Sequence, residues 1–398
     1  MPIAIDGSRL LTKNPTGVEV YCQNIINGLL AKSNDLILYT PQIISDLPEK
    51  NQQILNWPLK KFWSQIRLGF ELLIHPPTVF FSPGYVIPFL ALFNKKTKKI
   101  VTIHDLGFVY TPESYSLFQK WFLKLTTKQA VKYAHKIITA AKATKDDLIK
   151  YFNCPEKKIE VTYFGITPHC HCEESRGRGG TTSQSRDKGI LSRDRNAHRL
   201  NFAKQNLDDS LAMTERKKQI LYIGRIEEKK NINNLIKAFQ IFYQKHPDYK
   251  LILAGKPGHG FKNIQYQIAN IQYLGYISAE QKKQLLSESN CLVFISKHEG
   301  FGFPILEAFD FGLPVVASDI PVLREIGGDA CVYVNPCSPE DIVRGLQEAV
   351  ETRRGVSLQE KIEKGRERLK DFDWQKCIEK TWQTAFSMII YTIYDDKI

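Results

Sequence analysis

An α/β protein with two doubly wound, Rossmann-like halves is the fold class that the sequence predicts, and three observations predict it. Short apolar runs that end in glycine loops and lead into amphipathic helices recur along the chain. The series is broken once, over residues 166–217, by a polar stretch. At 398 residues the chain exceeds one ordinary core, so two domains are the default. The expected division is 1–165, a linker 166–217, a second half 218–375 and a closing helix 376–398 that packs back toward the first half.

In the first half, Ile3-Ala4-Ile5-Asp6 reads as a strand, Asn14 to Glu19 as a loop holding Gly17, and Tyr21 to Leu30 as a helix. Leu36 to Tyr39 is the second strand, and Val79-Phe80-Phe81 is a third, running into Ser82-Pro83-Gly84. Lys99 to Ile103 is another strand, which puts His104 and Asp105 at its carboxyl end, where open α/β sheets bind ligands. Lys136 to Ala140 is a strand, Thr144 to Tyr151 a helix capped by Thr144, and Ile159 to Tyr163 ends the half before a turn at Gly165.

The composition of Ser175 to Arg199 cannot form a core and predicts a flexible linker. His169-Cys170-His171-Cys172 has no second ligand pair at zinc spacing, so no metal is expected there. The scattered arginines lack interleaved aromatics, so no nucleic-acid partner is expected.

The second half opens with the strand at Gln219 to Arg225, followed by a loop to Asn231 and an amphipathic helix over Ile232 to Tyr243. Lys250 to Ala254 and Ile271 to Leu274 are strands, and Ser278 caps a helix through Glu288. The apolar run Cys291 to Ile295 leads into Ser296-Lys297-His298-Glu299-Gly300-Phe301-Gly302. Gly300 and Gly302 free the backbone to turn and to approach a ligand. Pro304 suits a helix start, and Gly312 with Pro314 ends that helix before a strand at Val315 to Ala317. The strand Cys331 to Val334, a helix over Pro339 to Val350 and a long helix from Trp374 close the chain.

The glycine loop leaves free amides at a helix N-terminus, where an anion can sit. Glu299 in the loop and Glu307, placed in the first helical turn, are acids beside that anion site, which suits sugar hydroxyls. Arg225 and Lys230, in the loop after the first strand of this half, supply the cations of a diphosphate site. Neither a Walker loop nor GxGxxG is present, and no paired aspartates call for a metal.

The bulk numbers agree with an anionic ligand. Net charge is +13, which fits an anionic partner: nucleic acid, an acidic membrane surface or phosphorylated substrates. Lys60, Lys61, Phe62, Trp63 and Arg67, then Lys120, Trp121, Phe122, Lys124, Lys128 and Lys132, mix basic and aromatic residues as a peripheral membrane surface does. The alternative is a helix packed by its aromatic face with its lysines in water. The eight cysteines show no framework spacing, the opening reads as a strand rather than a leader, and no apolar run reaches the roughly 20 residues of a membrane span. A cytoplasmic protein, at most peripheral to a membrane, is expected.

Taken together, Glu299 and Glu307, with seven residues between them in Glu-Gly-Phe-Gly-Phe-Pro-Ile-Leu-Glu-Ala, resemble the E-x7-E signature of the retaining GT-B glycosyltransferases of family 4. Thr16-Gly17-Val18, Val101 to Leu106, Gly224-Arg225 with Lys230-Asn231, and Gly275 to Ser278 fall in that family's order, so the resemblance covers most of the chain. It departs where Ala141 stands for a frequent serine and in the insertion at 175–199. A Lys-Thr-Gly-Gly loop is missing, and Thr16-Gly17 with Tyr21 is closer to the mannosyltransferase-like branch.

The resemblance implies two Rossmann-like domains facing across a cleft. Glu299 and His104 would lie at the donor sugar, Glu307 at the ribose, and Arg225 and Lys230 at the diphosphate. Phe301 and Gly302 would offer amides, Gly300 would sit in the same loop, Gly17 would come near the phosphates or acceptor, and Ile277 near the base. The implied donor is GDP-mannose first and a UDP-hexose second, the acceptor a glycan or lipid-linked sugar in polysaccharide assembly, with no cofactor and no metal. Two alternatives stand beside it: an inactive nucleotide-sugar-binding protein, and a sugar-nucleotide epimerase of the same fold, which lacks the glutamate loop.

Overall fold

The computed structural model describes residues 3–12, 15–58, 62–167, 216–264, 268, 270–351 and 356–395. The expectations for Lys60, Lys61, His169 to Cys172 and Ser175 to Arg199 concern residues outside these. Two parallel sheets carry the fold. The first contains β1 (Ile3–Asp6), β2 (Leu36–Thr40), β3 (Gln52–Ile54), β4 (Val79–Ser82), β5 (Lys98–Ile103), β6 (Lys136–Thr139) and β7 (Ile159–Val161). Their order is β3-β2-β1-β4-β5-β6-β7. The second contains β8 (Gln219–Ile223), β9 (Lys250–Ala254), β10 (Ile271–Gly275), β11 (Cys291–Phe294), β12 (Val315–Ser318) and β13 (Cys331–Val334), in the order β10-β9-β8-β11-β12-β13.

Because every crossover between parallel strands carries a helix or a long loop, both faces of each sheet are covered, and the central strands are mostly apolar. β1, β4, β11 and β12 are buried at every position. In each sheet the order reverses at one adjacent pair, β1 with β4 and β8 with β11. At such a pair the crossovers diverge to opposite faces and leave a crevice beyond the carboxyl ends of the strands.

The helix after β1 is longer than its apolar period predicts, spanning Gly17–Lys32. Thr16 is its N-cap, and the Glu19 carboxylate reaches back to the Thr16 amide at 3.0 Å, closing a capping box. The helix Lys142–Phe152 departs from the expected cap. Thr144 lies inside it and is buried, with Ala141 at the N-cap position. Its first amides are instead bound by Glu325, which belongs to the helix Pro321–Gly327 of the other half. The Glu325 carboxylate accepts from Lys142 N at 2.6 Å, from Ala143 N at 2.9 Å and from the Tyr163 hydroxyl at 2.8 Å. A carboxylate at orphan amides does what a cap does, wherever in the chain it comes from.

The two halves share one core. It runs from Tyr21, Ile25 and Ile26 through Phe164 to Phe301, Ile305 and Phe372. Phe164 stacks on Tyr21 with ring centres 4.2 Å apart and touches Phe301 at 5.1 Å and Phe303 at 5.9 Å. The last helix, Trp374–Asp395, returns to the first half. Ile378 fills the space over Gly28, Lys32 pairs with Glu379, and Lys380 donates to the Val161 carbonyl at 2.7 Å.

A candidate active site at the cleft

The loops that carry Arg225, Lys230 and Glu299 to Gly302 leave β8 and β11, the pair at which the second sheet reverses. After β8 the chain makes a short turn over Glu228–Lys230 and passes through Asn231 in the left-handed conformation, φ 62°, before the helix Ile232–Lys245. Asparagine tolerates that conformation at small cost. The turn brings Lys230 across to the β11 loop, where its Nζ lies 2.6 Å from Glu299 Oε1. The Ser296 hydroxyl donates to the same carboxylate, and Lys297 N donates to the Lys229 carbonyl at 3.0 Å, fastening the two loops together.

The β11 loop ends at Gly302, whose φ of 151° favours glycine, and the helix Phe303–Asp310 follows with Pro304 second. Glu307 is therefore the fifth residue of this helix, in its second turn rather than its first. It pairs with Lys282 at 2.6 Å. Phe301 turns its ring into the shared core and is 6% exposed, so only its backbone is offered to the cleft.

From the first sheet, His104 stands just past β5 with its Nε2–H donating to the Pro83 carbonyl at 2.8 Å. Its ring packs edge-on against Tyr21, and burial holds its pKa below the ordinary imidazole value, so it is neutral at neutral pH. Gly300 lies directly on this strand end. A Cβ there would fall inside van der Waals contact of the His104 carbonyl oxygen and 2.8 Å from Asp105 Cβ. At Gly17, a Cβ would be 3.2 Å from the Phe303 ring, so two helix N-termini, Gly17 and Phe303, meet across the cleft. That concentrates partial positive charge where an anion would sit.

The cleft thus brings together Gly17, His104, Lys230, Glu299, Gly300, Phe301 and Gly302. Arg225 is set apart: its side chain is 54% exposed, with Nε 3.6 Å from Glu227. Ile277 is half-buried just after the edge strand β10, before the capping Ser278.

Three groups that the sequence left unassigned complete the site. Lys229 crosses to the first half, with Nζ 3.5 Å from the Tyr115 hydroxyl and 5.6 Å from its ring centre. Burial opposes the Lys229 charge, but Asp105, Tyr115, Glu227 and Glu299 raise its pKa above the usual lysine value. Burial alone would raise the Asp105 pKa, yet Lys229, His298 and the Gly107 amide bring it below the ordinary carboxylate range. His298 stacks on Tyr110 across the cleft with ring centres 4.5 Å apart, and its buried Nε2 has no hydrogen-bond partner among the described residues. In sequence, Lys229 is one of two adjacent lysines, and no periodicity says which of them faces the other half. Among the described residues no cluster of three His, Cys, Asp or Glu side chains is placed to hold a metal ion.

Comparison with known proteins places this geometry. The family model "Glycosyltransferase Family 4" matches residues 15–169, and the model "Glycosyl transferases group 1" matches residues 203–368. The chain is 24% identical over 331 residues to O-antigen chain mannosyltransferase B of Escherichia coli, covering 79% of this chain and 76% of that protein. It is 23% identical over 328 residues to O-antigen chain mannosyltransferase RfbU of Salmonella typhimurium, covering 80% and 77%. Its fold is similar to sucrose-phosphate synthase from Thermosynechococcus elongatus, with a TM-score of 0.70 and 16% identity over 98% of this chain and all of the other. It is also similar to Anabaena Alr3699/HepE, solved with UDP and glucose, with a TM-score of 0.66 and 16% identity over 96% and 98% of the two chains.

Proposed function

We infer, from the premise that this chain is a GT-B glycosyltransferase of the family 4, group 1 kind acting on a nucleotide sugar, that it transfers mannose with retention to a glycan or lipid-linked acceptor. The observation that carries the reading is the pairing of Lys230 with Glu299 beside two helix N-termini that meet across the cleft. The mannose assignment draws on the two relatives named as mannosyltransferases.

In this reading the bond from the anomeric carbon to the diphosphate oxygen breaks as the bond to the acceptor oxygen forms on the same face. The negative charge that develops on the diphosphate is stabilised by Lys230, by Arg225 once it turns inward, and by the amides at Gly302 and Phe303. The acceptor proton passes to the departing phosphate oxygen. Glu299 receives a sugar hydroxyl, His104 as a neutral imidazole bonds another, and Glu307 takes the ribose. Each carboxylate is held by a lysine in the structure, Lys230 or Lys282, so the donor exchanges one strong partner for another. The reading assigns the charge of the diphosphate to these cations and amides and calls on no metal.

A panel of GDP-mannose, UDP-glucose, UDP-galactose and UDP-N-acetylglucosamine, read by thermal shift and nucleotide release, tests the donor. GDP-mannose is expected to give the largest shift and the fastest release. A UDP-sugar leading both readouts would overturn the mannose assignment, and binding without any turnover would favour the inactive-protein reading.

An anionic membrane surface is the proposed location of the acceptor. On the helix Leu117–Tyr133, Leu117 is 82%, Phe118 65% and Trp121 60% exposed, with Lys124 and Lys128 also exposed. These aromatics are not packed away, as they would be on an ordinary surface helix, and aromatics beside lysines suit an acidic lipid surface. No helix among the described residues is long and apolar enough to cross a membrane. Co-sedimentation with liposomes is expected to rise with the fraction of anionic lipid and to fall with salt. Sedimentation indifferent to anionic lipid would rule the surface out.

A further inference from the structure

At Glu325 a charged side chain of one half is bound by backbone amides of the other. The helix that carries it, Pro321–Gly327, lies directly behind the glycine loop. A Cβ at Gly302 would stand 3.3 Å from Leu323 Cδ2 and 3.7 Å from Ile326 Cγ2. Arg368 braces the end of this helix, its guanidinium donating to the Glu325 carbonyl and to the Ile326 carbonyl, the latter at 3.2 Å. A cation suits the carbonyls that a helix end leaves unpaired. The same guanidinium lies 5.0 Å from the ring centre of Phe372, in the shared core. The carboxylate is thus presented from a fixed support.

On the opposite side, Lys142 and Ala143 open the helix that follows β6. β6 pairs with β5, with Thr139 beside Ile103, and His104 is the next residue after Ile103. Tyr163, the third donor to Glu325, comes two residues after β7 and packs edge-on against Phe372 at 5.6 Å. Burial and the Glu325 carboxylate push the Tyr163 pKa up to about 12, so the hydroxyl keeps the proton it donates. Glu325 therefore ties the loop that ends at Gly302 to the strand end that bears His104.

These bonds are strong and reversible. A charged acceptor strengthens each of them, and the dipole of the capped helix adds to the attraction. Lys142 is exposed and Glu325 half-buried, so parting the halves hands both to water and strands no buried charge. The bonds form only while the halves are together, so they stabilise that arrangement alone. A serine at the N-cap would serve such amides from within its own half, but Ala141 stands there.

We propose that Glu325 is a positioning residue for sugar transfer, a latch that holds the Gly302 loop against the His104 strand end. The assignment rests on the glycosyl-transfer reading above. Glu325→Gln in the full chain tests it, alone and combined with Ala141→Ser. Glutamine keeps the shape, removes the charge and turns one acceptor into a donor that faces other donors. In Glu325→Gln, kcat for nucleotide-sugar consumption should fall roughly tenfold, the scale of one charge-assisted hydrogen bond. The radius of gyration from solution X-ray scattering should rise, while the thermal shift given by the nucleotide sugar stays the same.

The hydroxyl that Ala141→Ser introduces caps the helix from its own half. In the double variant it should restore hydrogen-exchange protection at the start of that helix, with kcat and radius still at the Glu325→Gln values. Recovery of kcat there would show that Glu325 only caps a helix, and would overturn the latch. A fall in kcat without a larger radius would overturn it too, as would no change in either. Should Glu325→Gln fail to fold, Tyr163→Phe removes one donor and keeps the carboxylate. It should give a smaller loss of kcat and a larger radius, and no change in either would sink the proposal. Unaltered consumption in parent and variants refutes the latch and leaves the transfer reading standing. If the parent protein consumes no nucleotide sugar, the transfer reading falls, and radius and exchange alone decide whether Glu325 latches the halves.

Discussion

Replacing Lys230 by alanine is expected to lower transfer turnover by roughly 10²–10³-fold, the effect of removing one preorganised charge-stabilising donor. In energy that is about 3–4 kcal/mol of transition-state stabilisation. Lys230 is well placed for so large an effect. Its side chain is 14% exposed and is placed in the cleft by Glu299, itself 12% exposed, and a sugar hydroxyl that takes the Glu299 carboxylate leaves the ammonium for the diphosphate. Arg225, at 54% exposure, is the more exposed of the two cations and lies apart from Glu299, so it should matter less. The measurement is kcat for donor consumption with saturating acceptor, alongside donor affinity by thermal shift. The expected pattern is a loss concentrated in kcat, since the charge is greatest when the sugar–phosphate bond breaks. Near-normal kcat in a folded Lys230→Ala protein would remove Lys230 from the mechanism.

Gly300→Ala should cost a comparable amount for a different reason. Here no charge is lost. The added methyl meets the His104 carbonyl and the Asp105 side chain, both part of a rigid strand end in the other half. The loop must retreat, and with it Glu299 and the helix N-terminus at Phe303 move away from His104 and Gly17. Displacements near 1 Å at such a constellation cost roughly 10²-fold in rate. Donor affinity should fall much less, because Glu307 and Lys282 lie wholly within the second half and do not depend on the contact. A kcat within threefold of the parent, with the melting temperature unchanged, would show that the contact at Gly300 does not set the reacting geometry.

Most strands were legible because a parallel strand covered on both faces is a short, uninterrupted apolar run. Val79 to Phe81, Cys291 to Ile295 and Val315 to Ala317 each stand in the sheets within a residue of their expected ends. Elements without that contrast escaped. β3, Gln52–Ile54, is a three-residue edge strand with two glutamines, and edges need not be apolar. The helix Val356–Arg368 is dominated by charge and has too little periodicity to stand out. Thr144 had the right chemistry for a cap, but Glu325 from the other half took the amides, and no local pattern announces a cap supplied 183 positions away.

The site divides in the same way. Glu299, Gly300, Gly302 and Glu307 form one continuous stretch, and Lys230 follows a recognisable strand, so their residue types and spacing sufficed to single them out. Lys229, Asp105 and His298 matter through what faces them across the cleft. Their roles follow from a docking of two halves whose contacting residues lie far apart in the chain.

By itself, then, the sequence determined the two sheets, the glycine loop with its flanking acids and the cations that accompany it. These depend on side-chain period, glycine and proline, which act over a few residues. Only the tertiary structure decided that Gly300 rests on His104 and that Glu325 caps the opposite half. Those depend on which surfaces meet, and shape complementarity between distant segments has no local code.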